Sequence, residues 1–219
     1  DKESAFIMAK AAEAGIPIRR MPRHAIDAAA SGKTHGGILY EADGRIYDDP
    51  SVLFSSENPF LVVLEGVEDP FNLGYVIRAL YSGGCTGLVI NSRSWESADS
   101  VILKSSAGAY DYLPIVMSED PAALIKASRR RQIHAFAAMR KDAKPCYEAD
   151  FTGPILLAIG GEMRGLSTAV LNECDENIYI PYANDFRNAL NAAGASAVLG
   201  FEVLRQRRYQ GGGSTDGTD

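Results

Sequence analysis

From residue 60 to residue 208 the chain alternates short runs of consecutive apolar residues with amphipathic stretches. The apolar run 61–64 is closed by Gly66 and Asp69-Pro70. The stretch 72–81 then places Leu73, Val76, Ile77 and Leu80 on one face of a helix, which Gly83-Gly84 stops. The same reading gives strands at 87–90, 113–117, 134–138, 155–159 and 178–181. It gives helices at 99–104, at 121–131 with Pro121 near the first turn, at 167–173 and, longest of all, at 188–208. The run 155–159 is apolar without alternation, as befits a strand covered on both faces. Strands and helices in turn over most of the chain predict an α/β layer fold with a mostly parallel sheet and helices on both faces.

The first 50 residues differ. An Ala-rich helix at 5–14 is followed by Gly15-Ile16-Pro17 and the basic stretch Arg19, Arg20, Arg23, His24, and 44–50 has the composition of turn and linker. Residues 1–50 are therefore read as part of a small separate domain, 51–210 as the main domain, and 211–219 (Gly, Ser, Thr and Asp only) as a disordered tail. Residue 1 is Asp, so the front of the small domain is expected to precede the numbered chain.

Composition narrows the class. With 46% hydrophobic and 23% charged residues in 219, the chain is neither disordered nor coiled coil. No apolar run approaches the ~20 residues that span a bilayer, and the start lacks a signal-peptide pattern, which argues against a membrane protein. Cys85, Cys146 and Cys174 are widely spaced and form no C-x-x-C pair; with His24, His35 and His134 they offer no metal-ligand spacing. A reducing, cytoplasmic setting and no metal are expected. The net charge of −6 disfavours a chain coated in nucleic acid but leaves room for a local basic patch.

Three segments carry candidate chemistry. In 69–80 (DPFNLGYVIRAL), Asn72 is placed to cap a helix, Gly74 admits close approach to its first turn, and Arg78 follows one turn later. Structurally, Arg78 would snorkel or pair with a carboxylate; functionally, its guanidinium would meet an anionic ligand. In 159–167 (IGGEMRGLS), glycines at a strand end let a ligand lie against the main chain, but the spacing is neither a dinucleotide fingerprint nor a phosphate loop. In 180–203, Leu190, Ala193, Ala197 and Phe201 recur at helical spacing, the small residues at 192–197 permit very close packing, and Asn188 and Asn191 can serve as caps.

In this order and spacing the three segments resemble the signature motifs of the SpoU–TrmH branch of the SPOUT superfamily, the RNA ribose 2′-O-methyltransferases. The first motif's Asn, Gly and Arg match Asn72, Gly74 and Arg78. The second, Gly-x-Glu-x-x-Gly, matches Gly160, Glu162 and Gly165. The third runs from Ile180-Pro181 to Ala189-Leu190-Asn191. The segment 105–114 (SSAGAYDYLP) is similar to the family's Gly-Ala…Leu-Pro stretch, and 31–44 resembles the end of a ribosomal-protein-like RNA-binding domain that precedes many catalytic domains of the family.

The resemblance implies a C-terminal trefoil knot, which general topology disfavours, and S-adenosylmethionine as methyl donor. It implies cofactor contacts at Gly160, Gly161, Glu162, Gly165, Ile180, Ala189 and Leu190, largely through main chain. It assigns catalysis to Arg78 with Asn72, Glu162 and Asn191, RNA contacts to Arg19, Arg20, Arg23, Lys33 and Arg187, and a homodimeric assembly. Ribosomal RNA is favoured over transfer RNA as substrate. The sequence departs from the family at Ala189, where the motif has Ser, and in a slightly long 180–190 loop. A nicotinamide-dependent oxidoreductase is excluded by 67–74, which lacks the glycine fingerprint. A non-catalytic RNA-binding relative stays open as the rival. The basic run 129–131 is read as the end of a surface helix.

Overall fold

The computed structural model describes residues 2–30, 32, 35–185 and 190–209; Lys33, Arg187, Ala189 and the tail lie outside the described residues. The chain divides into two compact units, Asp1–Asp43 and Gly44–Asp219. The first contains α1 (Lys2–Glu13) and α2 (Arg23–Ala29). The basic stretch thus enters a second helix that apolar periodicity does not announce, and Arg23 pairs with Asp27 one turn on, Nε to Oδ1 3.1 Å.

In the second unit seven strands form one sheet: β1 (Phe60–Glu65), β2 (Gly87–Asn91), β3 (Ile115–Ser118), β4 (His134–Ala138), β5 (Lys144–Pro145), β6 (Ile155–Gly160) and β7 (Glu176–Tyr179). Every pairing is parallel, in the order β3-β2-β1-β6-β4-β7-β5. The helices are α3 (Pro70–Ser82), α4 (Asp99–Ser105), α5 (Pro121–Arg129), α6 (Thr168–Glu173) and α7 (Ala192–Tyr209). The expected strand at 178–181 is displaced to 176–179, so Ile180 opens a loop instead of ending a strand. Its first residues, Glu176 and Asn177, are only partly buried, so their polarity hides them from an apolar-run reading. The two-residue edge strand β5 has no apolar run at all and includes a proline without a donor.

The period-2 geometry of the central strands sorts the core. Phe60, Val62 and Leu64 of β1 join Ile155, Leu157 and Ile159 of β6 in one cluster with α3 and α7. Leu61 and Val63 join Leu156, Ala158 and α5's Ile125 in another on the opposite face. Burial of both faces explains why these strands read as continuous apolar runs. Residues 44–48, expected as linker, are bonded into this unit. The Arg45 main-chain N–H donates to Asp99 Oδ2, its side chain to Leu113 O, and Asp48 accepts from Ile115 N–H.

Two close approaches set α3. A Cβ on Gly74 would fall onto Ser105 Oγ of α4, and a Cβ on Gly83 would lie 2.9 Å from Gly200 O of α7. The group that Gly74 admits is therefore α4, not a ligand. The far end of α7 is held by Gln206, which accepts from Phe151 N–H and donates to Ala149 O, and by Arg207, which donates to the carbonyls of Asn58, Pro59, Phe151 and Gly153.

Candidate active site

The exits of β1 and β6 lie side by side at the centre of the sheet, where the strand order runs outward in both directions. Ligands in open α/β folds bind at such a switch point. β1 leads through Gly66 (φ 75°) to Asp69, whose side chain accepts from Asn72 N–H at 2.8 Å and caps α3, with Pro70 in the first turn. Asp69, not Asn72, is therefore the cap. The amide of Asn72 is left to act elsewhere, and its Nδ2 donates to Glu162 Oε1 at 3.3 Å.

Glu162 sits on the loop that follows β6, and backbone packing dictates that loop's glycines. A Cβ on Gly161 would enter the Gly66 carbonyl, and one on Gly160 would come within 2.6 Å of Leu166 N. Without side chains the two strand exits press together: Gly161 N–H donates to Glu65 O at 2.6 Å and Gly165 N–H to Gly161 O at 3.0 Å, with Gly165 at φ 64°. Glu162, Met163 and Arg164 project from the resulting tight turn, Met163 being 93% exposed. Glu65, the last residue of β1, anchors the far side: its carboxylate accepts from Ser167 N–H at 2.7 Å. Its only sequence signal was an acid closing an otherwise apolar run.

On the neighbouring side β7 runs out into Ile180, Pro181 and Tyr182. Leu190 N–H donates to Tyr182 Oη at 2.7 Å, and the Arg140 guanidinium lies 4.6 Å from the centre of the Tyr182 ring. Arg140, Tyr179, Ile180, Tyr182, Asn184 and Asp185 line a cavity of about 210 Å³. Asn191 Oδ1 accepts from Gly194 N–H at 2.8 Å and so caps the start of α7, the structural role of such an amide.

Arg78 is exposed on the outer face of α3 and, among the described residues, has neither a carboxylate partner nor a hydrogen bond. The ion pair that spacing suggested does not form, so a cation stands available on the helix that Asn72 ties to the β6 loop. Asn72, Glu162 and the three loop glycines are brought together; Ile180, Leu190 and Asn191 belong to the β7–α7 side. In the first unit Arg19 is exposed, Arg20 donates to Met8 Sδ, and Arg23 is engaged by Asp27. Arg129 is bound by Glu173 and Asp175, and Arg131 stacks on Phe54, which leaves only Arg130 of that run uncommitted among the described residues. Among the described residues no His, Cys, Asp and Glu side chains cluster as metal ligands would, and no helix is long and apolar enough to cross a membrane.

Ile180 is half-buried, Leu190 is 40% exposed, and the cavity beside them combines aromatic walls with polar groups. Together these features define an α/β protein whose glycine loop and motif residues gather at the carboxyl ends of its parallel strands. Residues 59–201 match the SpoU rRNA Methylase family, and the chain belongs to that family as an RNA 2′-O-methyltransferase. It is 29% identical over 211 residues to the 23S rRNA (guanosine-2′-O-)-methyltransferase RlmB of Yersinia pestis, covering 94% of this chain and 85% of that protein. It is 30% identical over 205 residues to an uncharacterized tRNA/rRNA methyltransferase of Mycobacterium ulcerans, covering 92% and 66%. Among solved structures it is similar to the SpoU methyltransferase AviRb of Streptomyces viridochromogenes in complex with AdoMet, with a TM-score of 0.66, 29% identity, and 74% and 66% of the two chains covered.

Proposed function

We propose that the enzyme methylates the ribose 2′-hydroxyl of a guanosine in ribosomal RNA, with catalysis centred on Arg78. The observation that carries this reading is the Asn72–Glu162 hydrogen bond, which ties the helix bearing an unpaired Arg78 to the glycine loop after β6. The names of the RlmB relatives support the ribosomal substrate.

S-adenosylmethionine, when bound, supplies a methyl group already activated by its sulfonium. Gly160, Gly161, Glu162, Gly165, Ile180, Ala189 and Leu190 would hold it, chiefly through main chain. The ribose hydroxyl is a poor nucleophile, so the protein's work is alignment and stabilisation of charge on O2′. An arginine is a weak base but a strong fixed cation, and Arg78 lowers the energy of the alkoxide as it develops. Asn72 and Glu162 fix the helix relative to the loop, and Asn191 sets the start of α7 beside the cofactor.

In the same reading the segments 160–165, 180–184 and 188–191 form a trefoil knot, whose threaded loops need the small residues found there. The active enzyme is a homodimer. Phe71 and Tyr75 of α3 and Val198 and Phe201 of the adjoining α7 are all at least 41% exposed, an apolar surface that a second copy would cover. Residues 1–43 act as part of an RNA-binding domain through Arg19, Arg20, Arg23 and Lys33, with Arg187 contributing from the main domain, and the enzyme works in the cytoplasm, where ribosomal RNA is.

The test is transfer of labelled methyl from S-adenosylmethionine to ribosomal RNA fragments and to transfer RNA, followed by alkaline hydrolysis, which a 2′-O-methylated linkage resists. Label in ribosomal RNA at a protected guanosine linkage is expected. Label in transfer RNA alone would move the substrate, and binding of RNA without label would make the chain a non-catalytic relative.

A further inference from the structure

The loop between β7 and α7 is longer than its motif and carries polar residues, yet its two ends are joined by one side chain. The Tyr182 hydroxyl accepts from Leu190 N–H at 2.7 Å across eight residues, and the Tyr182 ring is itself covered by Arg140, 4.6 Å away at the exit of β4. Tyr182 is half-buried and lines the 210 Å³ cavity together with Arg140 and Ile180. The hydroxyl restrains the Leu190 main-chain N–H, and the guanidinium that follows another strand restrains the ring.

We propose that Tyr182 is a positioning residue, and Arg140 its support, that together fix the main chain of Leu190 against the exit of β7 for the methyl donor. The clamp joins two strand exits to a helix start: Arg140 follows β4, Tyr182 follows β7, and Leu190 precedes α7. It acts on the main chain of Leu190, so it works by preorganisation, lowering the ordering cost that binding would otherwise meet. This inference rests on the cofactor reading of Ile180 and Leu190.

The experiment compares wild type with Tyr182→Phe, which keeps the ring and removes the hydroxyl, and with Arg140→Ala, which keeps the hydroxyl and removes the cover. Two quantities are read: hydrogen exchange of the Leu190 amide in the protein without cofactor, and affinity for S-adenosylmethionine by calorimetry. Tyr182→Phe is expected to speed exchange at Leu190 and weaken S-adenosylmethionine binding, each by roughly tenfold, the worth of one hydrogen bond, while kcat at saturating donor stays near wild type. Arg140→Ala is expected to move both in the same direction by less. Unchanged exchange and affinity in Tyr182→Phe, with wild type binding the donor, would overturn the clamp and leave the cofactor reading standing. Faster exchange with unchanged affinity would overturn the positioning role. Wild type that binds no S-adenosylmethionine would overturn both.

Discussion

Asn72 and Glu162 are 90 residues apart in the chain and joined by a hydrogen bond of 3.3 Å, amide nitrogen to carboxylate oxygen. The bond forms because Asp69 takes the capping role at the start of α3 and frees the Asn72 side chain, while the glycines after β6 let that loop fold back against the exit of β1. The pair is exposed, so its net worth is about 0.5–1.5 kcal/mol. Its chemistry gives a sharper test than its strength. Glu162→Gln keeps an acceptor oxygen and is expected to retain most methyl transfer. Asn72→Asp sets two carboxylates together and is expected to fall below Asn72→Ala at pH 8. Combining Asn72→Asp with Glu162→Gln should then recover activity, and a double variant no better than the single one would break the link.

Arg78 is expected to separate chemistry from binding. With no partner among the described residues, its removal leaves no buried charge behind, and Arg78→Ala should fold and melt like wild type. Donor affinity should be unchanged while single-turnover methyl transfer falls ~10²-fold or more, the scale for losing one group that stabilises developing negative charge. Arg78→Lys keeps the charge but not the planar fork and is expected to lie between the two. Turnover preserved in Arg78→Ala would remove the catalytic assignment.

Gly74 matches the family motif, yet its surroundings give it a structural duty. The space of its missing side chain is filled by Ser105 Oγ, with Ile102 O 2.9 Å away. Gly74→Ala would gain in helix propensity, but a methyl group placed against α4 is expected to cost about 1–3 kcal/mol net. That would appear as a lowered Tm. Pairing it with Ser105→Gly should return part of the loss, a positive coupling that two independent sites would not show. Equal Tm values for wild type and Gly74→Ala would mean that α4 yields freely.

The contrast between Gly74 and Arg78 shows what was legible in the sequence. Alternating runs revealed the strands of the sheet whose two faces are buried, since Leu61 and Val62 both meet core although they point opposite ways. They missed β5, whose Lys144-Pro145 has no apolar signal, and misplaced β7, whose first half is polar. Motif spacing pointed to Gly160, Gly161, Glu162 and Gly165 as one cluster, because a loop at a strand end is local. It could not reveal that Glu65 completes the surroundings from another strand, which depends on which strand lies beside β6; the capture of the cap by Asp69 from Asn72 is a local contact, signalled by Asp69-Pro70. Tyr182, inside the third motif but not one of its matched residues, and Arg140, outside all three, are visible only through their contact.

A last expectation concerns alkaline pH. Cys85 is 6% exposed and its thiol donates to Gly87 O at 3.3 Å. Burial pushes it from an ordinary 9.0 up to about 12, opposed by its hydrogen bond and by the nearby charge of Arg207. Above about pH 9 the unfolded chain releases this proton and the folded chain does not. The stability that the neutral thiol contributes is therefore complete below pH 9 and is lost as pH rises toward 12, at up to ~1.4 kcal/mol per pH unit. Cys174 is pushed to about 12 by burial and by Asp175, and adds a slope of the same sign. Tyr110, raised by burial and by its bonds to Tyr47 and Asp99, adds a loss of the same sign from its ordinary value of 10.0 upward. The informative quantity is thus the difference between variant and wild type. Cys85→Ala is expected to be less stable than wild type at pH 8, because it leaves a small cavity, and to lose stability more slowly from pH 9 to 11 in urea titrations. Parallel pH profiles for the two proteins would show that Cys85 ionises in the folded state, and that water reaches a sulfur packed between α3 and β2.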